Sequence, residues 1–321
     1  MTGKETQSIK NIESSLFERV ELQKGQGEKT GYSNYSYWHS TFKLFMSKRT
    51  TVLVLALLAV VLGISILQPL LPNQKDPNEI FLNPETGLQL INQKPSSEHW
   101  CGTNPLGQDL WARICAGTRT SLFIGAVVGV VQALIGIVVG ALWGYVRWLE
   151  RPITEIYNVL NNIPSTIIMV LMSYILRPGL STIIIAMCIT EWLPMARFVR
   201  NQIIIIRDRE YNLASRCLGT PVYRMIYKNL LPYLVSVIMM RIAMAVPSAI
   251  GYEVFLTFVG LGLPANMSSL GNLINDSRGI IMSPGLRYQL IFPSVALSLI
   301  TISFYLLGNN FADAADPKNH I

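Results

Sequence analysis

Three ionisable residues stand inside long apolar stretches of this chain: Glu191, Arg241 and Glu253. A charge at mid-membrane costs about 2.5–3.5 kcal/mol on insertion scales, so each side chain calls for a wet cavity or an opposite partner. Two readings stay open for them: the lining of a path for a polar solute, or a Glu–Arg pair that fastens helices together. Glu253 lies near the end of its stretch, where a simply wet side chain is the plain alternative. The other reactive groups offer less chemistry. His39, His99 and His320 stand apart, and Cys101, Cys115, Cys188 and Cys217 show no CxxC spacing, so local spacing assembles no zinc or iron–sulfur ligand set. The apolar stretches show no Ser-His-Asp arrangement, and the chain has no G-x-x-x-x-G-K-[ST] phosphate loop. No catalytic residue, metal or cofactor is therefore expected in it.

The most informative polar stretch is 199–231. Asp208 occupies an N-cap position, and Glu210 in the following turn meets the positive end of a helix dipole. Leu213, Ala214, Cys217 and Leu218 recur at helical spacing. Gly219 then suits a left-handed stop, Thr220 a new cap, and Pro221 the first position of a second helix, which runs through Tyr223, Ile226 and Tyr227 to Leu231-Pro232. The pattern predicts a short helix, a sharp turn and another short helix. Ala214 and Ser215 are small enough to let another protein approach the backbone closely. A docked soluble partner would move the membrane helices as a unit; an amphipathic loop lying on lipid is the other reading.

These groups are positioned by membrane-spanning helices. Of 321 residues, 50% are apolar and 14% charged, and the mean hydropathy is +0.37. Soluble domains carry about 25% charged residues, so a soluble enzyme is disfavoured. Apolar runs near 51–71, 121–146, 153–176, 181–199, 231–263 and 288–309, the first without a charge, are each long enough to cross a hydrocarbon core of about 30 Å as a helix rising 1.5 Å per residue. They must be helical, because every backbone polar group in lipid needs an internal partner. The expected fold is an all-α integral membrane protein with six transmembrane helices. The first run starts behind a long polar leader, so a retained helix is expected rather than a cleaved signal. Lys43, Lys48, Arg49, Arg147, Arg151, Arg197, Arg200, Arg207, Arg209, Arg216, Arg224 and Lys228 outweigh Lys75, Lys94, Arg113, Arg119, Arg177, Arg278 and Arg287 on the alternate loops. The positive-inside bias then places both termini in the cytoplasm, and it explains the formal charge of +7 without nucleic acid.

The resulting division is a cytoplasmic segment 1–50, a first helix 51–72, an extracellular segment 73–118, a core 119–311 containing the loop 199–231, and a cytoplasmic tail 312–321. Cys101 and Cys115 fall in the extracellular segment, where a disulfide can persist, yet free thiols fit their spacing equally. Gly125, Gly129, Gly136, Gly140 and Gly144 put small residues on the second helix for close packing, with a sliding or a static interface open. Pro194 and Pro247 are candidate helix breaks.

The motif set resembles a known family. Glu210-Tyr211-x-x-Ala214-Ser215-x-x-Leu218-Gly219, closing at Leu230-Leu231-Pro232, is similar to the coupling loop of ABC importer permeases, with Leu213 where the family has a second glutamate and Ser215 for its second alanine. Gly102 to Asp109 (GTNPLGQD) resembles GTDxxGRD of dipeptide and oligopeptide permeases of the C-subunit type, with Gln108 replacing arginine. Phe258 to Pro264 with Ser269 to Leu273, and the end Asn310 to Pro317, resemble that family's FLGLGLP…WGNLL and DxLDP stretches. Asn158 to Pro164 and Tyr211 to Pro221 resemble its Gram-positive Ami/Opp branch. The resemblance implies a type I ABC importer permease for oligopeptides, non-catalytic, in a Gram-positive plasma membrane. It implies that Glu210, Tyr211, Ala214, Ser215, Leu218, Gly219, Thr220 and Pro221 receive force from ATPase subunits. The implied partners are a second permease, two ATP-binding subunits that hold ATP and Mg, a lipid-anchored extracellular peptide-binding protein, the peptide and membrane lipid. A dipeptide or nickel permease of the same family is the nearest alternative. An autonomous secondary transporter or channel is the alternative of another class, for which repeats are expected and none is evident.

Overall fold

The computed structural model describes residues 37–316 except 73 and 281. The expected segment 1–50 is therefore described from 37 onward, and Pro317 and His320 of the expected tail lie outside the described residues. Two units are distinguished, residues 1–40 and 41–321. The described part of the first is the opening turn of α1 (Tyr37–Ser47).

The second unit is a helical bundle. Its elements are α2 (Arg49–Leu67), α3 (Leu110–Tyr145), α4 (Arg147–Asn161), α5 (Ser165–Leu176), α6 (Leu180–Thr190), α7 (Trp192–Arg207), α8 (Glu210–Cys217), α9 (Val222–Arg224), α10 (Leu231–Phe258), α11 (Leu270–Asp276) and α12 (Tyr288–Ala315). Among the described residues, five helices are long and apolar enough to cross a membrane, and a sixth crossing exists if α4 and α5 are taken together. The chain is a multi-pass membrane protein.

Several boundaries differ from the hydropathy reading, each for a local reason. The run 153–176 is not one helix: α4 and α5 meet at 71°, because Pro164 disfavours helical geometry in Ile163 and begins α5 as its N-cap. The second membrane helix begins at Leu110 rather than Ser121, within the stretch 73–118 expected to precede it. Asp109 caps it, accepting from the Ala112 N–H at 2.9 Å. The charges that interrupt hydropathy there are accommodated inside the protein. Arg113 is fully buried; it donates to Gln108 Oε1 and lies 3.9 Å from Asp276, while Arg119 donates to the Ser65 carbonyl. The return from the loop is one continuous helix, Val222–Phe258, rather than a short helix followed by a span at Leu231. Pro232 cannot fit a regular α-turn against Lys228, and the backbone widens into a π-helical stretch over Met225–Leu230. At its far end α10 stops at Phe258, short of 263, and α12 carries the expected tail on to Ala315.

α3 is the central element, touching α2, α4, α6, α7, α10, α11 and α12. Its glycines face two neighbours. Gly125 and Gly129 lie against Val246 and Ala245 of α10, and Gly136, Gly140 and Gly144 against Met195, Ala196 and Arg200 of α7. The segment before α3 is ordered by isolated pairings, Ile80 with Gln108, Leu82 with Gln89 and Thr103 with Asp109. His99 Nδ1 stands 2.8 Å from Asp109 Oδ2 in a buried contact. Cys101 and Cys115 are free thiols, both buried. Burial, then the Asp109 carboxylate, push the Cys101 thiol up to about 12.

Candidate functional site

The loop between α7 and α10 is built as a stiff elbow. Asp208 is not the N-cap of α8; it ends α7, and its carboxylate lies 3.2 Å from Arg207 and 3.7 Å from Arg216. Arg209 takes the cap position without a side-chain bond. Glu210 in the first turn and Arg216 in the last still complement the helix dipole. The end of α8 is a double-bonded C-cap: Gly219 N–H to Arg216 O at 2.9 Å, and Thr220 N–H to Ser215 O at 3.2 Å. Gly219 takes φ +79° as expected. Thr220 does not cap the next helix, whose N-cap is Pro221. Its hydroxyl instead meets Ser215 Oγ at 2.9 Å, and Asn229 Nδ2 donates to Ser215 Oγ at 3.1 Å. These bonds tie α8 to the returning helix. Asn212, fully buried, ties it to α7 by donating to the Ile206 carbonyl at 2.8 Å.

What remains outside is largely apolar, with Glu210 and Arg216 as the charges of α8. Glu210, Tyr211, Leu213, Ala214, Cys217, Gly219 and Pro221 are exposed, and Leu218 is 87% exposed. The structure thus gathers the loop's candidate residues on one short helix and its turn, with Ser215 and Thr220 half-buried as the internal tie. An apolar row held outward by a rigid support is a surface built to be covered.

The three membrane charges part company. Pro194 has no N–H to offer Thr190 and crowds its carbonyl, so α6 ends there and Glu191 sits in the break. Its carboxylate is buried, with the Tyr252 hydroxyl as hydrogen-bond partner, and Ser165 bonds to Tyr252 in turn. Arg241 is exposed, its guanidinium carbon 4.6 Å from the Phe198 ring centroid. No ion pair joins Glu191 and Arg241 among the described residues, which overturns the fastening pair. Arg241 shares an outward row of α10 with Ser248, Gly251, Phe255 and Phe258, all exposed, and an added Cβ at Gly251 would meet nothing within 4 Å. Pro247 stays inside a continuous α10.

Glu253 points the other way and is not wet. It is fully buried, 2.6 Å from Ser269 Oγ, 3.2 Å from Thr257 Oγ1 and 3.4 Å from Ser121 Oγ, with the Gly271 N–H also on it. Ser269 also caps α11 at the Asn272 N–H, and the Leu270 N–H donates to Ser121. The carboxylate therefore fastens α3, α10 and the start of α11. Glu253→Ala is expected to strand these buried donors, at about 1–3 kcal/mol each. The variant should accumulate poorly and melt earlier in detergent, with Glu253→Gln intermediate. An unchanged melting profile for the alanine variant would refute the fastening role.

The bundle thus carries a carboxylate at a helix break, an outward row of α10 that holds Arg241, and an elbow with an exposed, largely apolar face. Residues 133–321 match the profile described as binding-protein-dependent transport system inner membrane component, and the chain belongs to that family. It is 38% identical over 313 residues to the oligopeptide transport system permease protein AmiD of Streptococcus pneumoniae, covering 97% of this chain and 100% of that one. It is 32% identical over 314 residues to the oligopeptide transport system permease protein OppC of Bacillus subtilis, covering 97% and 99%. A solved structure titled as inward-facing conformations of the MetNI methionine ABC transporter aligns with TM-score 0.52 at 22% identity, covering 63% of this chain and 96% of that one. The fold is that of type I ABC importer permeases, and the resemblance drawn from the motifs holds.

Proposed function

We propose that this chain is one permease subunit of an ATP-driven oligopeptide importer. It lines half of the path and receives force through α8. In this reading it is non-catalytic and works with a second homologous permease, two ATP-binding subunits that hold ATP and Mg, and an extracellular lipid-anchored peptide-binding protein. The observation that carries the reading is the elbow: exposed apolar residues on α8, backed by Ser215, Thr220, Asn229 and Asn212. Docking accounts for this better than lipid contact, because the support transmits displacement from α8 into α7 and α10.

The basic groups near α8, Arg147, Arg200, Arg207, Arg209, Arg216, Arg224 and Lys228, support a cytoplasmic elbow. Lys48 pairs with Asp313 at 3.0 Å, which supports both termini on one face. The segment before α3 then faces outward. The relatives from Streptococcus pneumoniae and Bacillus subtilis support a Gram-positive plasma membrane. On the path, Arg241 meets peptide carboxylates and Glu191, freed from Tyr252, meets amino groups.

Proteoliposomes holding the whole complex should take up a labelled oligopeptide on ATP addition, and those lacking the ATP-binding subunits should not. Arg241→Gln should cut uptake about tenfold, the worth of one charge-assisted hydrogen bond, without loss of assembly. Uptake by the chain alone would defeat the reading; full uptake by Arg241→Gln would remove Arg241 from the path.

A further inference from the structure

A cavity of about 360 Å³ opens where α3 turns into α4, beside the elbow. Its wall brings together Arg147, Arg207 and Arg216 with one carboxylate, Asp208, and the rings of Tyr145 and Trp148. Asp208 already serves two of the cations, Arg207 at 3.2 Å and Arg216 at 3.7 Å. Arg147 is exposed and has no carboxylate within ion-pair distance among the described residues. Glu150, just outside the wall, also lies 3.9 Å from Arg207; three guanidiniums against two carboxylates still leave the cavity positive, and guanidinium N–H donors match a phosphate group.

The surface leading to this cavity is apolar. On α3, Val130, Leu134, Val138 and Leu142 are 58%, 64%, 58% and 37% exposed. Their spacing of four follows one ridge of the helix, and the row ends less than a turn before Tyr145. From Val130 to Leu142 the axis advances about 18 Å at 1.5 Å per residue, on the order of half a hydrocarbon core of about 30 Å. Trp148, 76% exposed, stands where that row meets the charges, the level at which indoles sit among headgroups.

We propose that the cavity binds the phosphate headgroup of an anionic phospholipid whose acyl chain lies along the Val130–Leu142 row. Arg147 opens α4, Arg207 closes α7 and Arg216 lies on α8, so one headgroup bridges the α3–α4 corner and the elbow. Basic pockets between membrane helices hold anionic headgroups by this chemistry. The site leaves the elbow's mobility dependent on the lipid. It rests on the proposed orientation only for the leaflet that supplies the lipid.

The test uses the full-length chain, co-expressed with its transport partners, in nanodiscs of mixed phosphatidylglycerol and phosphatidylcholine. Lipid retained after extraction is counted by native mass spectrometry, and phosphatidylglycerol with a photoreactive acyl chain is cross-linked and mapped. Phosphatidylglycerol should be retained over phosphatidylcholine and should label the peptide holding Val138 and Leu142. Arg147→Gln should lower retention about fivefold, the factor one arginine contributes against an anionic surface, and Arg147→Lys should keep most of it. Equal retention of both lipids, no effect of Arg147→Gln, or labelling confined to partner subunits would each overturn the proposal. So would displacement of the lipid by millimolar inorganic phosphate, which would mark a soluble-anion site. Should Arg147→Gln fail to accumulate, the label map on the unaltered chain decides. Retention is read without transport, so it fails or holds separately from the proposed function.

Discussion

Gly219→Val is expected to abolish peptide uptake while the chain still reaches the membrane in normal amount. The glycine sits at φ +79°, where a residue with a Cβ is strained by about 1–2 kcal/mol, and a β-branched one by more. An added Cβ would meet nothing within 4 Å, so the damage comes from the backbone and not from a clash in the bundle. The strained turn can relax only by giving up the Gly219–Arg216 and Thr220–Ser215 bonds that stop α8. The Ser215–Thr220 contact, which closes the turn beside the Asn229–Ser215 bond to the returning helix, goes with them. Force applied to Tyr211 and Leu218 would then bend the loop instead of moving α7 and α10. Gly219→Asn separates this account from a need for a bare surface, because asparagine tolerates the left-handed region yet adds bulk at the docking face. Uptake of a labelled oligopeptide, normalised to membrane-inserted chain, should be lost in the valine variant and largely kept in the asparagine variant. Full uptake with valine would defeat the coupling role of the turn.

The elbow was legible in the sequence because its signals are local: a glycine stop, a proline, small residues and helical spacing within one short stretch. Misplaced caps at Asp208 and Thr220 share a cause. Both side chains have a choice of backbone and side-chain partners, and Arg207, Arg216 and Ser215 outcompete the N–H groups expected for them. The start of α3 was illegible for the opposite reason. Hydropathy counts Arg113 and Arg119 as costs, whereas Gln108, Asp276 and the Ser65 carbonyl meet them from distant parts of the chain. Asp109 ahead of an apolar helical pattern was the signal that would have found it. Tyr252 and Phe198, the partners of Glu191 and Arg241, carry no spacing rule. Each is brought in by another helix, so the sequence marks the charges and leaves their pairing to the fold.

The α3–α7 contact bears on how the importer moves, and one substitution decides between its two readings. At Gly140 an added Cβ would stand 2.4 Å from the Ala196 carbonyl oxygen and 2.8 Å from Val199 Cβ. One of these is backbone and the other the branch point of a stiff side chain, so neither can swing aside. Gly140→Ala must therefore push α3 and α7 apart, at a cost of about 1–3 kcal/mol for overpacking. Gly129→Ala on the same helix meets Ala245 Cβ at 3.4 Å, an ordinary contact, and should be near neutral. A static interface predicts that Gly140→Ala lowers the melting temperature in detergent and the amount of inserted chain, with uptake per folded molecule preserved. A sliding interface predicts the reverse, normal melting with uptake lost, because the helices would rest in a register that spares the methyl group and fail when they shift. The glycines Gly136, Gly140 and Gly144 all abut α7 at 3.0 Å or less for the added carbon, so the two helices are in close contact over more than two turns. The static outcome is expected, with α3 and α7 moving as one body driven from the elbow.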